Sequence, residues 1–270
     1  MKTYLEQHLQ TRWAGRGEIC YEAQMRSTNL RAKEMARAGA AHGSVAVCDD
    51  QTAGRGRMQR TWDTPAGQAL TQSMVLRPAL TLEQAPLVTL AAAVASAQAI
   101  EDVCPELQVG IKWPNDGIIG GKKCFGILSE MALADGRLDY VVPGVGINVN
   151  QTAFEGELQE KATSMLLELR KMPPEAGQIE RKALLCAYLA RMEQAVDSLE
   201  AHGFDGIVQE YLRRSVTVGK KVQVIAATET YVAEAKAVDK EGALIVTDEQ
   251  GNERRVLCGD VSVRGLMGYC

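Results

Sequence analysis

The sequence lacks paired cysteines. Seven cysteines are scattered over 270 residues, none of them in a Cys-x-x-Cys arrangement or close enough in sequence to a histidine to form a metal-ligand set. This predicts reduced thiols in a cytoplasmic protein rather than a disulfide-stapled scaffold. Long hydrophobic runs are missing too, because the most apolar stretch, residues 87–100, is rich in alanine and shorter than the roughly 20 residues that a bilayer requires. The N-terminus has no apolar core of signal-peptide length, so we expect neither secretion nor a membrane partner.

Histidine is scarce as well, which narrows the possible chemistry. His8, His42 and His202 are the three histidines; they are far apart in the sequence and form no recognisable triad or metal motif. A Gly-x-Ser-x-Gly nucleophile elbow is absent. The run GIIGGKK at 117–123 has neither the glycine spacing nor the hydroxyl residue of a Walker A loop. The sequence therefore gives no sign of a serine hydrolase, a zinc enzyme or a P-loop NTPase.

Positive charge is concentrated in one short stretch, GRGRMQRTW at 54–62, although the chain as a whole carries a net charge of -4. The overall acidity argues against a general affinity for nucleic acid. Arg55, Arg57 and Arg60 provide forked donors for carboxylate or phosphate oxygens, and the flanking glycines let backbone amides approach a ligand. A solvated charged turn is the alternative, but the glycines and Trp62 favour a site for one dedicated anion.

Two further stretches carry polar side chains. In residues 112–130, KWPNDGIIGGKKCFGILSE, residues 113–116 are predicted to form a turn after a strand, where ligand sites of α/β folds tend to lie. This turn would project Asn115 and Asp116, and Lys123 comes shortly afterwards. An ordinary hairpin with lysines at a sheet edge explains the same pattern. In residues 143–150, PGVGINVN, the Gly-x-Gly is a weak nucleotide signal, because glycines inside strands more often mark close packing.

The hydrophobic pattern predicts a mixed α and β domain, followed after residue 214 by about five short strands that suggest a small β-barrel. Turn signals separate these last strands, and the chain contains no internal repeats. The predicted helices are 27–43, 81–101 with a capping box at its start, and 178–213 with a break near 203; the predicted strands are 44–50, 69–78, 109–113, 124–133 and 139–150.

Five segments, taken together and in this order, resemble the biotin protein ligase family. They are STN at 27–29, QTAGRGR at 51–57, KWPND at 112–116, KKCFGILSE at 122–130 and GVGINVN at 144–150. The resemblance implies an α+β fold: a catalytic domain like those of class II synthetases and biotin ligases, with a mixed sheet and helices, and a small C-terminal SH3-like β-barrel. The implied domains are residues 1–213 and 214–270.

The resemblance implies an enzyme that joins biotin to ATP, with Mg²⁺ as cofactor. It then passes biotin from biotinyl-5'-AMP to a lysine of the biotin carboxyl carrier domain of a biotin-dependent carboxylase. Biotin is already an anion at neutral pH, so this chemistry requires cations rather than a general base. Relatives that repress transcription carry an additional DNA-binding domain. Only 26 residues precede Ser27, which predicts a monofunctional enzyme without a nucleic-acid partner.

The resemblance also assigns roles to individual residues. Those expected around biotin are Ser27, Thr28, Asn29, Gln51, Arg55, Gly56, Arg57, Lys123, Gly126 and Gly144. Those expected around the nucleotide are Arg57, Arg60, Trp62, Asn115, Lys123, Asn148 and Arg264. The implied catalytic residues are Arg55, Arg57, Arg60, Lys123 and Asp116. Lys123 is expected to bridge the biotin carboxylate and the α-phosphate, Trp62 to cover the adenine, and Asp116 to face Mg²⁺ and orient the incoming lysine.

One position departs from the family pattern. The family loop reads G-R-G-R-x-G-R, and Gln59 stands where the third glycine is usual. If that position requires a positive φ, the Gln59 Cβ costs roughly 1 kcal/mol or more, and loop closure or the order of substrate binding would differ.

Two other functions stay open: a lipoate or octanoate transferase of related fold, and a biotin-binding sensor without catalysis. Monomer and homodimer are both compatible with the sequence.

Overall fold

A seven-stranded mixed sheet forms the centre of the protein. The computed structural model describes residues 1–172, 174–226, 229–258 and 262–265. The sheet order is β1-β2-β3-β7-β6-β5-β4; β1 runs parallel to β2, and all other neighbours are antiparallel. Its strands are β1 (Ile19–Met25), β2 (Val45–Gln51), β3 (Ala69–Met74), β4 (Gly110–Lys112), β5 (Asp116–Ile119), β6 (Lys122–Ala134) and β7 (Arg137–Asn148).

Two tight turns fix the register of the strands that carry the polar and glycine-containing motifs of the sequence. Gly120 and Gly121, with φ of 57° and 78°, join β5 to β6, and Asp135 and Gly136, with φ of 50° and 73°, join β6 to β7. Two consecutive residues with positive φ make a type I′ turn, which matches the twist of an antiparallel hairpin. The register in turn decides which side chains of β5, β6 and β7 share a face.

Helices cover the two faces of the sheet unequally. The helices are α1 (Lys2–His8), α2 (Thr28–Arg37), α3 (Leu87–Val103), α4 (Leu158–Lys161), α5 (Met165–Leu169), α6 (Arg181–His202) and α7 (Val208–Arg214). One face packs against α3 and α6 and forms the main core, which includes Leu70, Phe125 and Ile147. On the other face, α2 packs only over a small apolar patch around Met35 and Val142. The rest of that face is open to a cavity.

α3 is apolar on every side, as expected for a helix in the middle of a core. Among the described residues, no helix has both the length and the apolarity needed to cross a membrane.

A second, five-stranded antiparallel sheet follows, in the order β11-β10-β9-β8-β12. The prediction of about five strands after residue 214 is therefore confirmed. Trp113, which is 2% exposed, connects the two sheets: its backbone amide donates to Thr217 Oγ1 at 2.9 Å and its indole Nε1 donates to the carbonyl of Gly242 at 3.0 Å. The strands are β8 (Lys221–Ile225), β9 (Thr230–Val238), β10 (Leu244–Asp248), β11 (Glu253–Val256) and β12 (Ser262–Gly265).

The α+β fold and most predicted elements are confirmed, with three corrections. The helix predicted over 81–101 begins only at Leu87: Gln84 Oε1 accepts from the amide of Thr81 at 3.0 Å, as in half of a capping box, but residues 82–86 form turns. α2 ends at Arg37, ahead of Gly39 with φ 89°. Asp116, predicted in a turn, is the first residue of β5.

Glu193 fastens the N-terminal segment to α6. Its carboxylate accepts from the backbone amides of Arg12, Trp13 and Ala14 at 2.7–3.0 Å. Burial acts to raise the pKa of Glu193, but these backbone donors and the Arg12 charge outweigh it, so the pKa lies below its ordinary value. A lowered pKa in the folded state means that this stabilisation is complete above the unfolded pKa and is lost as the pH falls through the folded one.

We therefore expect Glu193→Gln to lower the free energy of unfolding at neutral pH by about 1–3 kcal/mol, because the amide offers only one accepting oxygen. The difference from the wild type should shrink in acid. Urea unfolding at a series of pH values measures both effects. The exposed Glu6→Gln change on α1 is the control; a pH-independent loss, or an equal loss in the control, would contradict this account.

Candidate active site

A cavity of about 1230 Å³ lies on the open face of the seven-stranded sheet. Residues of the first sheet, the loop 54–62, the segment around α4 and the C-terminal sheet line it. The predicted site residues that line this cavity are Ser27, Thr28, Asn29, Gln51, Arg55, Gly56, Arg57, Arg60, Trp62, Asn115, Asp116, Lys123, Gly126, Gly144 and Asn148. The side chain of Arg264 lies outside the described part of the chain, although its β12 neighbours Val263 and Gly265 contribute to the wall.

Glycines form the floor of the cavity. Gly146 on β7 is the register partner of Gly126 on β6, and Gly144 lies two residues before Gly146 on the same face. A Cβ added to Gly146 would come within 2.4 Å of the Trp62 indole, and one added to Gly126 within 3.2 Å of it. A Cβ on Gly144 would meet Asn29 Oδ1 at 1.7 Å. These strands therefore need glycine so that Trp62 and Asn29 can lie directly on the sheet.

Hydroxyl and amide groups line one end of the cavity. Gln51 Oε1 accepts from the backbone amide of Thr28 at 2.9 Å, and Asn29 Nδ2 donates to the carbonyl of Leu128 at 3.0 Å. Ser73 Oγ lies 2.6 Å from Asn29 Oδ1 and 2.8 Å from Thr28 Oγ1. Because Asn29 Oδ1 can only accept, the Ser73 hydroxyl donates to Asn29. We call these groups the polar end.

Charged groups lie on the far side of the glycines. Lys123 Nζ is 2.6 Å from Asp116 Oδ1 and 5.6 Å from the centroid of the Trp62 ring. Lys112 on β4 is the register partner of Asp116, lines the cavity, and is only 6% exposed. An ammonium group paired with a carboxylate and placed beside an aromatic face can bind an anion in a partly desolvated setting. This is the charged end of the cavity.

Arg57 connects the loop to both parts of the protein. Its Nη1 donates to Asn115 Oδ1 at 2.9 Å, and its Nη2 donates to the backbone carbonyl of Cys258, in the C-terminal region, at 2.9 Å. Asn115 Nδ2 in turn donates to the carbonyl of Ile127 on β6 at 2.9 Å. Arg57 is thus held over the cavity from two sides.

The arginine-rich stretch folds as a tight hairpin over the cavity. Arg55 forms a β-bridge with Thr61, and the amide of Trp62 donates to the carbonyl of Gly54 at 3.0 Å. These contacts turn the indole of Trp62 inward onto the glycine floor. The loop 54–62 is therefore a wall of the site and not only a solvated charged turn.

The left-handed residue of this loop is Met58, with φ 54° and ψ 41°. Gln59, the position that departs from the family pattern, follows it within the 3-10 turn Arg57–Gln59. The positive φ considered for Gln59 is therefore found one residue earlier in the loop.

Asn148 lines the cavity, but its polar atoms also hold the chain that follows β7. Its Nδ2 donates to the carbonyl of Thr163 at 3.0 Å, and its Oδ1 accepts from Gln151 at 3.0 Å. It is 5% exposed. In this structure Asn148 positions the segment that forms the nearby wall.

Both sheets of this chain match models of known protein families. A model described as the Biotin/lipoate A/B protein ligase family matches residues 21–148, and the Biotin protein ligase C terminal domain matches residues 217–264. The chain is 37% identical over 235 residues to the bifunctional ligase/repressor BirA of Bacillus spizizenii, covering 86% of this chain and 70% of that protein. It is 34% identical over 246 residues to the biotin--[acetyl-CoA-carboxylase] ligase of Mycobacterium tuberculosis, covering 88% and 86% of the two chains.

A solved structure shares the fold. The biotin protein ligase from Aquifex aeolicus in complex with biotin and ATP superposes with a TM-score of 0.75 at 25% identity, covering 92% of this chain and 99% of that one. The sequence, the fold and the arrangement of the cavity all indicate the same protein family. The chain belongs to the biotin protein ligase family.

Proposed function

We propose that this protein activates biotin with ATP and transfers it to a lysine of a biotin carboxyl carrier domain. The observation that carries the proposal is the convergence of the polar end, the glycine floor and the charged end on one cavity. In the first step, a biotin carboxylate oxygen forms a bond to the α-phosphorus of ATP while the bond to pyrophosphate breaks. In the second, the lysine amine attacks the acyl carbon and AMP leaves. Neither anion can approach the other without cations.

The two ends of the cavity suit the two substrates. We place the biotin ring at the polar end, where Ser27, Thr28, Asn29 and Gln51 can satisfy the donors and acceptors of its ureido group. The acyl chain would run along the glycine floor beside Trp62. The carboxylate would then meet the α-phosphate beside Lys123, which is already held in place by Asp116. Arg57 and Arg60 would add charge there from the loop, and Arg55 would lie beside biotin at the polar end, where it contacts Glu130.

The nucleotide side rests on fewer contacts. We place the adenylate near Trp62, Asn115 and Asn148, and keep Arg264 as a proposed contact from the C-terminal region. Among the described residues, no group of three histidine, cysteine or acidic side chains could hold a metal ion. This fits Mg²⁺ bound mainly through the phosphates, with Asp116 as its candidate protein partner, since Mg²⁺ commonly keeps few protein ligands.

The proposed domains are residues 1–213 and 214–270, and the proposed location of the protein is the cytoplasm.

A direct assay tests the proposal. Purified protein with biotin, MgATP and a biotin carboxyl carrier domain should release pyrophosphate and yield a carrier biotinylated on one lysine. Lipoate should not compete with biotin in this assay, whereas a lipoate transferase would prefer lipoate as its substrate. Biotin binding in a calorimeter without any pyrophosphate release would instead indicate a sensor and reject the ligase.

A further inference from the structure

Glu130 on β6 receives three charged or amide donors from two other segments. Its Oε1 accepts from Lys33 Nζ at 2.6 Å, and its Oε2 accepts from Asn29 Nδ2 at 2.9 Å and from Arg55 Nη2 at 3.4 Å. Asn29 and Lys33 lie one turn apart on α2, and Arg55 belongs to the loop 54–62. One carboxylate therefore ties together the strand, the helix and the loop at the polar end of the cavity.

This carboxylate is partly shielded from water. The side chains of Glu130 and Lys33 are 24% and 18% exposed, and that of Arg55 is 44% exposed. Burial acts to raise the pKa of Glu130, but the hydrogen bonds from Lys33 and Asn29 and the nearby positive charges outweigh it, so the pKa is lowered. Glu130 is thus ionised at neutral pH, and it balances one of the two cations that it holds.

The contacts of Glu130 have a consequence for each partner. For Asn29, the bonds from Nδ2 to Glu130 and to the Leu128 carbonyl together direct Oδ1 toward Ser73 and the glycine floor. The orientation of this amide is therefore fixed before a ligand arrives. For Arg55, the contact holds the guanidinium beside the polar end, while the hairpin positions its backbone. Both partners are among the residues that we place around biotin, and neither contact reaches the charged end.

We propose that Glu130 is a positioning residue for biotin recognition, which sets the amide of Asn29 and the guanidinium of Arg55. This rests on the proposed function, because it assigns the polar end to biotin. Without the carboxylate, Lys33 and Arg55 lose the anion that they share, and Asn29 Nδ2 keeps only its bond to the Leu128 carbonyl. Preorganisation of the polar end is weakened, while the charged end keeps its geometry.

The test compares Glu130→Gln with the wild type, first by calorimetric biotin binding without ATP. Glutamine preserves the shape but presents an NH₂ group to a set of donors. We expect the Kd for biotin to rise by about 10- to 100-fold, as for loss of a charged hydrogen-bond network. In the pyrophosphate assay, the KM for biotin should rise in proportion, whereas the KM for ATP and kcat at saturating biotin should change by less than about twofold.

Glu34→Gln is the matched control, because Glu34 lies on the same helix as Lys33 and pairs with Arg31 on its exposed side. It should leave both constants unchanged. Thermal unfolding of each variant verifies folding, and Glu130→Ala repeats the test without a new donor. An unchanged biotin Kd, or equal rises of the biotin and ATP constants, overturns the inference. Failure of the wild type to release pyrophosphate while it binds biotin rejects the ligase, and the calorimetric comparison still decides the role of Glu130.

Discussion

Replacing Lys123 by alanine should lower the rate of biotinyl-adenylate formation by about 10²- to 10³-fold, the range seen when one preorganised electrostatic donor is removed. In this structure the Lys123 ammonium is 2.6 Å from Asp116 and lies beside the Trp62 ring. It is therefore fixed where we place the meeting point of the biotin carboxylate and the α-phosphate. Negative charge accumulates there in the transition state, so the loss should appear mainly in kcat.

Lys122 provides a matched control within the same strand. It is the neighbour of Lys123 in sequence, but its Nζ donates to the carbonyl of Gln159 at 2.6 Å, outside the cavity. Lys122→Ala removes the same charge from the protein and should leave adenylate formation within about twofold of the wild type. Pyrophosphate release at saturating biotin and ATP measures both variants. Equal losses in the two would mean that net charge, rather than the position of Lys123, is responsible.

The local motifs of the sequence predict the residues that line the cavity better than they predict the residues that hold those side chains in place. Arg55, Arg57 and Lys123 lie in short segments whose composition already indicates an anion site, and the structure brings them to one cavity. Ser73 and Glu130 were missed, because each lies inside an ordinary strand pattern. Their importance arises from register, which places Ser73 opposite Gly144 and puts Glu130 on the cavity face of β6.

The fold shows the same division between local and long-range information. α6 and the C-terminal strands follow from periodicity and turn signals, and both are confirmed. β5 was missed because Asn115 and Asp116 resemble turn residues, although the Gly120–Gly121 pair after it is a hairpin signal. The order β1-β2-β3-β7-β6-β5-β4 depends on pairings between segments distant in sequence, which no local pattern encodes.

Gly146 provides the second large effect that we expect. Gly146→Ala places a Cβ where an ideal geometry leaves 2.4 Å to the Trp62 indole, well inside the contact distance of two carbon atoms. The indole must then leave the glycine floor, and the hairpin that holds it must move too. We expect biotin affinity to fall by at least about 30-fold, because the displaced ring and the new methyl group occupy the path that we assign to the acyl chain.

Stability should respond much less than binding, because Gly146 faces the cavity and the main core lies on the other side of the sheet. Gly177→Ala is the control, since a Cβ there meets no atom within 4 Å. Calorimetric titration with biotin, together with thermal unfolding of both variants, separates the two effects. If Gly146→Ala bound biotin as the wild type does, the acyl chain could not run along the glycine floor beside Trp62. A loss of affinity with unfolding unchanged would locate the chain there, because this substitution acts on the glycine floor and on the Trp62 hairpin that rests on it.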